Sequence, residues 1–576
     1  MGLTSSLLIG RSALAASQLA LQVTGNNIAN VATDGYSRQT VRLNPQSGDR
    51  LGSTVFLGRG VSVGDVRRMV DPAIQTRLRN SISEQQAASV NRDVAAQIES
   101  ILNELSDSDL SSQLQELFRS FSELANNPAS SVNAASAVEQ GASIASFMRG
   151  LRSDLSAART QLDSQLSSEV SRANVLLEEI ADLNVAVVAA ELGGRSDGGL
   201  RDQRDRLVGE LANLMDITVV EQSSGAIDVL VGSAPVVLGT NARGLEFDRR
   251  TVDDELEVRV LVKDGREELT ITGGTIGGRL GQRGETIDDA IAQLDEIASN
   301  LIFEVNKLHT NGRPSKRLTD LTSTLRVATA DQTLALNDPT NETFAELPFR
   351  AKDGSFVVVI TDATGTQSEV TIDVDLDGVT GALAPGFGDD TSLADLVAAL
   401  DAIPELNATI TADGALRLTT VAGYDVSFKD DTSGALAVLG VNTYFQGTDA
   451  TDIAVREALR ADPRLLVVGR SIGGNETALA IAGLRDRAVE ALDGDTISDR
   501  WLKAVDSNAV MVAGASTRLG AAETVRQNLE AQAASVSGVS IDEESLNLIT
   551  HQQAYQGAAR FVSVINDMTQ ILLNLV

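Results

Sequence analysis

The stretch LTSSLLIGRSALAASQLALQVTGNNI, residues 3–28, sets Leu3, Leu7, Gly10, Leu14, Ser17, Leu21, Thr24 and Ile28 at alternating steps of four and three. That is the a/d spacing of a helix that packs along another helix. Three of these eight positions are small or polar, so the helix alone makes a poor coiled coil and needs partners. The same spacing returns near the other end, in Leu548, His551, Tyr555, Ala558, Val562, Ile565, Thr569, Leu572 and Val576. The pattern predicts two terminal helices that pair with each other and with neighbouring subunits. The predicted interface comprises Leu3, Leu7, Leu14, Leu21, Ile28, Leu548, Tyr555, Val562, Ile565 and Leu572.

Working inward, residues 41–70 read as short strands with glycine turns, and residues 72–126 as helix stopped by Asn126-Asn127-Pro128. A very long helical pattern follows over about 131–192. Its seam is Ile144, Met148, Leu151, Leu155, Leu162, Leu166, Val170, Leu177, Ile180 and Val187, and Gly193-Gly194 ends it. A short helix at 200–215 precedes a switch to period two, clearest in Leu256, Val258, Val260 and Val262, with Asp264-Gly265 as a turn signal. Helix returns at 285–309 and again at 475–492 and 497–535. Between them, residues 314–468 are rich in Thr, Asp and Gly, with five strand patterns and one helix at 392–401.

The fold class expected is mainly α with an inserted β domain: terminal coiled-coil helices, a long helical bundle and a central β-rich (α+β) insert. The segments are 1–40 as N-terminal assembly helix and signature loop, pairing with 536–576 as C-terminal assembly helix; 41–215 as helical body with short strands; 216–275 as β-hairpins; 276–313 as a body helix; 314–468 as outer insert; and 469–535 as further body helices.

Chemistry-bearing residues are scarce. There is no Cys among the 576 residues, and only two His, His309 and His551, so the common zinc sites and thiolate nucleophiles are excluded. Both histidines read as packed or solvated side chains. No G-x-S-x-G, H-E-x-x-H or P-loop pattern occurs, and Gly273-Gly274-Thr275-Ile276-Gly277-Gly278 reads as a flexible strand-to-helix turn. Asp373-Val374-Asp375-Leu376-Asp377-Gly378 matches the opening of an EF-hand loop, but Ala384 stands where the twelfth-position carboxylate belongs. It reads as a solvated strand end. No catalytic residue, cofactor or metal is therefore expected. A net charge of −32 argues against nucleic acid and anionic membrane as partners. The N-terminus lacks a basic n-region, so no cleaved signal peptide is expected, and no apolar run is long enough to span a membrane.

The ends also carry a resemblance. Gly25-Asn26-Asn27-Ile28-Ala29-Asn30, followed by Thr33-Asp34-Gly35-Tyr36-Ser37-Arg38-Gln39, resembles the N-terminal signature of bacterial flagellar axial proteins. The ending Tyr36-Ser37-Arg38-Gln39 looks like the hook-associated protein 1 branch of that family, and rod and hook proteins usually depart there. Asp34 stands where the family commonly has Pro. Gly60-Val61-Ser62-Val63 through Arg67-Arg68 and Asp71 is similar to the next block. Gly538, Asp542, Glu543 and Glu544, with Gln552, Gln553 and Tyr555, resemble the C-terminal signature, while Gly557-Ala558 departs from the family's usual Ala-Ser.

The resemblance implies a structural subunit of the bacterial flagellum at the hook–filament junction, without catalysis. It implies a ring of copies that contacts hook protein on one side and a second junction protein on the other, with an export chaperone as a further partner. It also implies an extracellular location reached by type III export without a cleaved signal peptide. Two rivals stay open at this point: another structural member such as hook protein, and a subunit whose insert adds an enzymatic or adhesive activity.

Overall fold

The computed structural model describes residues 2–51, 55–102, 109–192, 196–252, 255–380 and 384–574; Gly193-Gly194 and Val576 lie outside the described residues. Chain contacts divide the protein into two units. Unit 1 holds Met1–Val94, Gln161–Arg283 and Ala513–Val576, and unit 2 holds Ala95–Thr160 and Gly284–Val512. The long helices are α1 (Gly2–Ala29), α2 (Pro72–Leu102), α3 (Leu110–Asn126), α4 (Ser131–Glu191), α5 (Gly198–Leu214), α6 (Gly274–Gln282) and α7 (Asp289–His309). Short helices follow: α8 (Glu342–Ala345), α9 (Leu393–Asp401), α10 (Ala435–Leu439), α11 (Glu457–Ala461) and α12 (Glu476–Ala482). Two long ones close the chain, α13 (Ile497–Ser537) and α14 (Ile541–Asn574). The molecule is mainly α with several small antiparallel sheets.

Burial explains the longest element. All ten apolar residues of the expected seam on the 61-residue α4 are buried, from Ile144 to Val187. The start of α3 is fixed by Asp109, whose side chain accepts from Ser112 N at 2.6 Å as an N-cap. Leu110, Leu114, Leu117, Phe121 and Leu124 then line its buried face.

In unit 1, strands Gln39–Pro45 and Val61–Arg68 form an antiparallel ribbon, with Gln39 opposite Arg68 and Val41 opposite Val66. Gly60, with φ +95°, approaches α1 so closely that a Cβ would run into the Ser12 hydroxyl. A four-stranded meander spans Thr218–Glu221, Ile227–Val231, Ala234–Leu238 and Asn241–Ala242. It docks through Asn184 of α4, whose amide donates to Ile227 O at 2.8 Å and Gly239 O at 2.6 Å. The alternating stretch Glu255–Val262 pairs with Leu245–Val252.

Two expectations change here. The glycines at 274–278 lie inside helix α6 rather than in a flexible turn. A Cβ on Gly278 would sit 3.1 Å from the backbone of Ala87 on α2, and one on Gly274 would strike the Leu214–Met215 peptide. Close backbone approach, not flexibility, is what requires these glycines. The stretch 475–492 is not one helix: α12 stops at Gly483, a poor helix former, and 3₁₀ turns cover Gly483–Asp486 and Glu490–Leu492.

Unit 2 contains the Thr/Asp/Gly-rich segment. Two three-stranded antiparallel sheets, Asp320–Thr322/Leu416–Thr420/Leu406–Ile410 and Gln367–Val374/Gly354–Thr361/Asp425–Lys429, share one apolar core with α9 and α10. Phe356, Val358, Ile372, Leu396, Leu418 and Phe428 lie in it. Arg313–Pro314 pairs with Val467–Gly469, so the chain enters and leaves this segment side by side. Both ends of α10 are closed by glycines in the left-handed region, Gly434 at φ +72° and Gly440 at φ +76°. After α10, Tyr444 reaches α4, where its hydroxyl donates to Ala137 O at 2.6 Å, and its ring meets Phe121 edge-on at 5.4 Å. His309 is fully buried beside it, bonded to Asn442 O at 2.8 Å and accepting from Val467 N at 3.1 Å. Burial pushes its pKa down to about 4, so the ring is neutral.

Candidate functional site

Helices α1 and α14 pack along each other within unit 1. Gly10 faces Val562 and Asn27 faces Glu544, so the two run antiparallel. The covered face of α1 is built from small residues: Gly10, Ala16, Ala20, Val23, Thr24 and Asn27 are buried. A Cβ on Gly10 would lie 2.6 Å from Val562 Cγ2, so the absence of a side chain sets how close the helices come. The expected interface residues Leu3, Leu7, Leu14, Leu21 and Ile28 flank this face and are each half-buried. On α14, Ile565 is buried, Leu548 and Val562 are half-buried, and Tyr555 and Leu572 are exposed.

The two signatures meet at the open end of this pair. The first turn after α1 is set by Gly35, whose φ of +77° lets Tyr36 N donate back to Thr33 O at 3.2 Å. That turn returns Tyr36–Gln39 to the last residues of α1. Asn27, 1% exposed, then uses its whole amide. Its Nδ2 donates to Gln39 O at 2.9 Å and Glu544 Oε2 at 3.0 Å, and its Oδ1 accepts from Tyr36 OH at 2.8 Å and Gln39 N at 3.0 Å. Asn26 bonds the Tyr36 hydroxyl at 3.3 Å, and Asn30 bonds Asn26 O at 2.9 Å. Burial, with the nearby charges of Asp202 and Glu544, holds the Tyr36 phenol above its ordinary pKa despite the Asn26 hydrogen bond. The hydroxyl therefore stays a donor.

Arg38 supplies the charge. Its Nε lies 3.0 Å from Glu544 Oε1 and one guanidinium nitrogen 2.9 Å from Glu543 Oε2, while its backbone N–H donates to Ser537 O at 2.8 Å. Glu544 is 2% exposed, so its charge is compensated by Arg38 and the Asn27 amide rather than by water. Asp542, Glu543 and Glu544 occupy the first turn of α14, where carboxylates favour the positive end of the helix dipole. The chain reaches that turn through Gly538, where a Cβ would strike Ala534 O.

Three contributors were not singled out from sequence, Asp202, Asp205 and a second apolar line on α14, and Arg68 was quoted only as part of the block after the N-terminal signature. Asp202 accepts from Ser37 N at 3.2 Å and from Arg68 at 2.7 Å; Arg68 also reaches Asp205 at 2.8 Å. They tie the signature loop to α5. Two aspartates within a helix carry no local signal that marks such a role. The third is a second apolar line on α14. Leu546, Ile549, Phe561, Val564, Met568 and Ile571 are all exposed, Leu546 by 67%. Gln552 and Gln553 are exposed and lie away from the junction.

Comparisons with known proteins follow the same division of the chain. A family model described as Flagella basal body rod protein matches residues 7–36, and one described as Flagellar basal body rod FlgEFG protein C-terminal matches 530–575. Residues 95–318 match the model of the Flagellar hook-associated protein FlgK helical domain. Flagellar hook-associated protein 1 of Salmonella typhimurium is 25% identical over 98% of this chain and 98% of its own length. The chain belongs to the flagellar hook-associated protein 1 family. The Bacillus subtilis member is 28% identical over 52% of this chain and 66% of its own. The solved structure of the flagellar hook junction protein FlgK from Burkholderia pseudomallei covers 79% of this chain and 99% of that one, at 16% identity and a TM-score of 0.49. As a member of this family the protein is a structural component of the flagellum. No described helix is long and apolar enough to cross a membrane.

Proposed function

We propose that this chain is the subunit that joins hook to filament, self-assembling through α1 and α14 as a ring of copies. It contacts hook protein on one face and a second junction protein on the other, performs no catalysis, and is exported through the flagellar apparatus with the help of a chaperone. The proposed interface is the set of terminal residues from Leu3 to Ile28 and from Leu548 to Leu572 named above, with the signature residues positioning it.

The observation that carries this reading is the junction itself. Two motifs from opposite ends of the chain are locked by Asn27, Arg38 and Glu544, while α14 leaves a line of apolar side chains uncovered. A lone chain gains nothing from exposing Leu546, Ile549, Phe561, Val564, Met568 and Ile571. Burying such a line against neighbours contributes roughly 25 cal/mol per Å², and a closed ring repeats it at each contact. The segment 314–468, entered and left at the Arg313–Gly469 ladder, suits an outer insert that leaves the terminal helices free to assemble. The test is electron microscopy of cells lacking this chain. Complete hooks without filaments support the junction role; normal filaments, or missing hooks, contradict it.

A further inference from the structure

Beyond the terminal helices, one cluster in the insert gathers carboxylates from both ends of a loop. The strand Gln367–Val374 runs out into a loop clasped at both ends: Asp375 N–H donates to Thr391 Oγ1 at 2.9 Å, and Thr391 N–H donates to Asp375 O at 2.7 Å. The clasp brings carboxylate oxygens of Asp375, Asp377 and Asp390 within 4.8 Å of one another. Asp353 is next to them, its carboxylate accepting from Leu376 N at 3.3 Å. Among the described residues, none of the four carboxylates pairs with Lys or Arg. Like charges so placed repel, and the Asp375 carboxyl reflects it. The hydrogen bond from Asp377 N lowers its pKa, but desolvation and the charges of Asp377, Asp390 and Asp353 outweigh that and raise it.

Asp390 is the separate observation that points to a ligand. It is 5% exposed. Its Oδ2 is held by Asn337 Nδ2 at 2.6 Å and Gly378 N at 3.1 Å. Among the described residues its Oδ1 is buried and has no hydrogen-bond partner, and neither has Asn337 Oδ1. A buried carboxylate oxygen without a donor is costly unless something positive satisfies it. The EF-hand argument against calcium rested on Ala384 at the twelfth place. Here Ala384 belongs to the short strand Ala384–Pro385, and the third carboxylate comes instead from Asp390, just beyond it. Asp373 stays on its strand and is not in the group.

We propose that Asp375, Asp377 and Asp390 bind a divalent cation, and that the ion is calcium. All the ligands are oxygen, three are anionic, and two are exposed on a loop, which suits the larger, geometrically tolerant ion over magnesium. Sites of this charge count in extracellular modules bind in the range of roughly 0.1–1 mM.

The test uses the full chain, stripped with chelator and titrated with calcium chloride by calorimetry, with thermal melting in parallel. Asp377→Asn is the informative variant. Asp377 is exposed, and the acceptor role its carboxylate has among the described residues, toward Val379 N at 2.8 Å, is one an asparagine oxygen keeps. The wild type should give a saturable one-site isotherm and a melting midpoint that climbs with calcium. D377N should bind at least about tenfold more weakly and melt no lower than wild type in chelator. No saturable heat and no midpoint shift up to about 10 mM calcium, tenfold above the weak end of that range, would overturn the site. So would an unchanged isotherm in D377N. An equal response to magnesium would overturn the choice of ion.

Discussion

The Asn27 amide donates to the Glu544 carboxylate at 3.0 Å, joining residues 517 positions apart in a contact that water does not reach. The same amide closes the Gly35 turn, so one side chain fixes both the return of the signature loop and the entry into α14. Replacing it by Asp puts a second carboxylate against Glu544 and removes the donor to Gln39 O. We expect Asn27→Asp to cost roughly 3 kcal/mol or more at the terminal pair. Hydrogen exchange of α1 and α14 should rise while that of α4 stays unchanged.

Arg38 is the cation that makes a buried Glu544 tolerable. Among the described residues, Arg38→Ala leaves that carboxylate with only the Asn27 and Asn547 amides. Breaking a buried pair on one side costs about 3–5 kcal/mol, whereas Glu543, largely exposed, contributes little. Limited proteolysis should release the terminal helices from Arg38→Ala and not from Glu543→Gln.

Gly10 offers a reversible test of the helix crossing. Gly10→Ala forces a methyl against Val562 Cγ2, and overpacking of this kind costs about 1–3 kcal/mol. Val562→Ala should recover part of that loss. A double-mutant cycle with no coupling between the two would show that α1 and α14 do not cross there.

His309 makes unit 2 sensitive to acid. The unfolded imidazole takes up a proton near pH 6.5, the folded one only near about 4. Between these values the unfolded state binds more protons, so stability is full above about pH 6.5 and is lost as pH falls toward 4, by on the order of 3 kcal/mol in all. Denaturant melts of the wild type should show this slope, and His309→Asn should be less stable at pH 7 but flatter across the same range.

Much of this was legible in the sequence where burial follows a simple period. The α4 seam was readable because its buried positions are large aliphatics at helical spacing, and the strands of the insert because they alternate. The face between α1 and α14 was harder. Leucines mark a seam to the eye, yet the most covered line on α1 runs through Gly10, Ala16, Ala20 and Asn27, where small size is the signal. The glycines of α6 read as a turn because their use, contact with Ala87 and Leu214, exists only in three dimensions. Tyr444 shows the limit of composition as a guide to boundaries. It lies within the Thr/Asp/Gly-rich segment but packs on Phe121 and Ala137 of the helices. Asp202 and Asp205 carried no pattern at all, and Arg68 showed only as part of a resembling block, without its partners.

The central claim is that assembly runs through the terminal helices, and Val564 isolates it from folding because its side chain is already exposed in the lone chain. Val564→Asp should leave the melting curve and secretion of the subunit unchanged. Electron micrographs of cells carrying only this variant should show hooks without filaments and free subunits in the medium. Filaments of normal number and length on those cells would contradict the account.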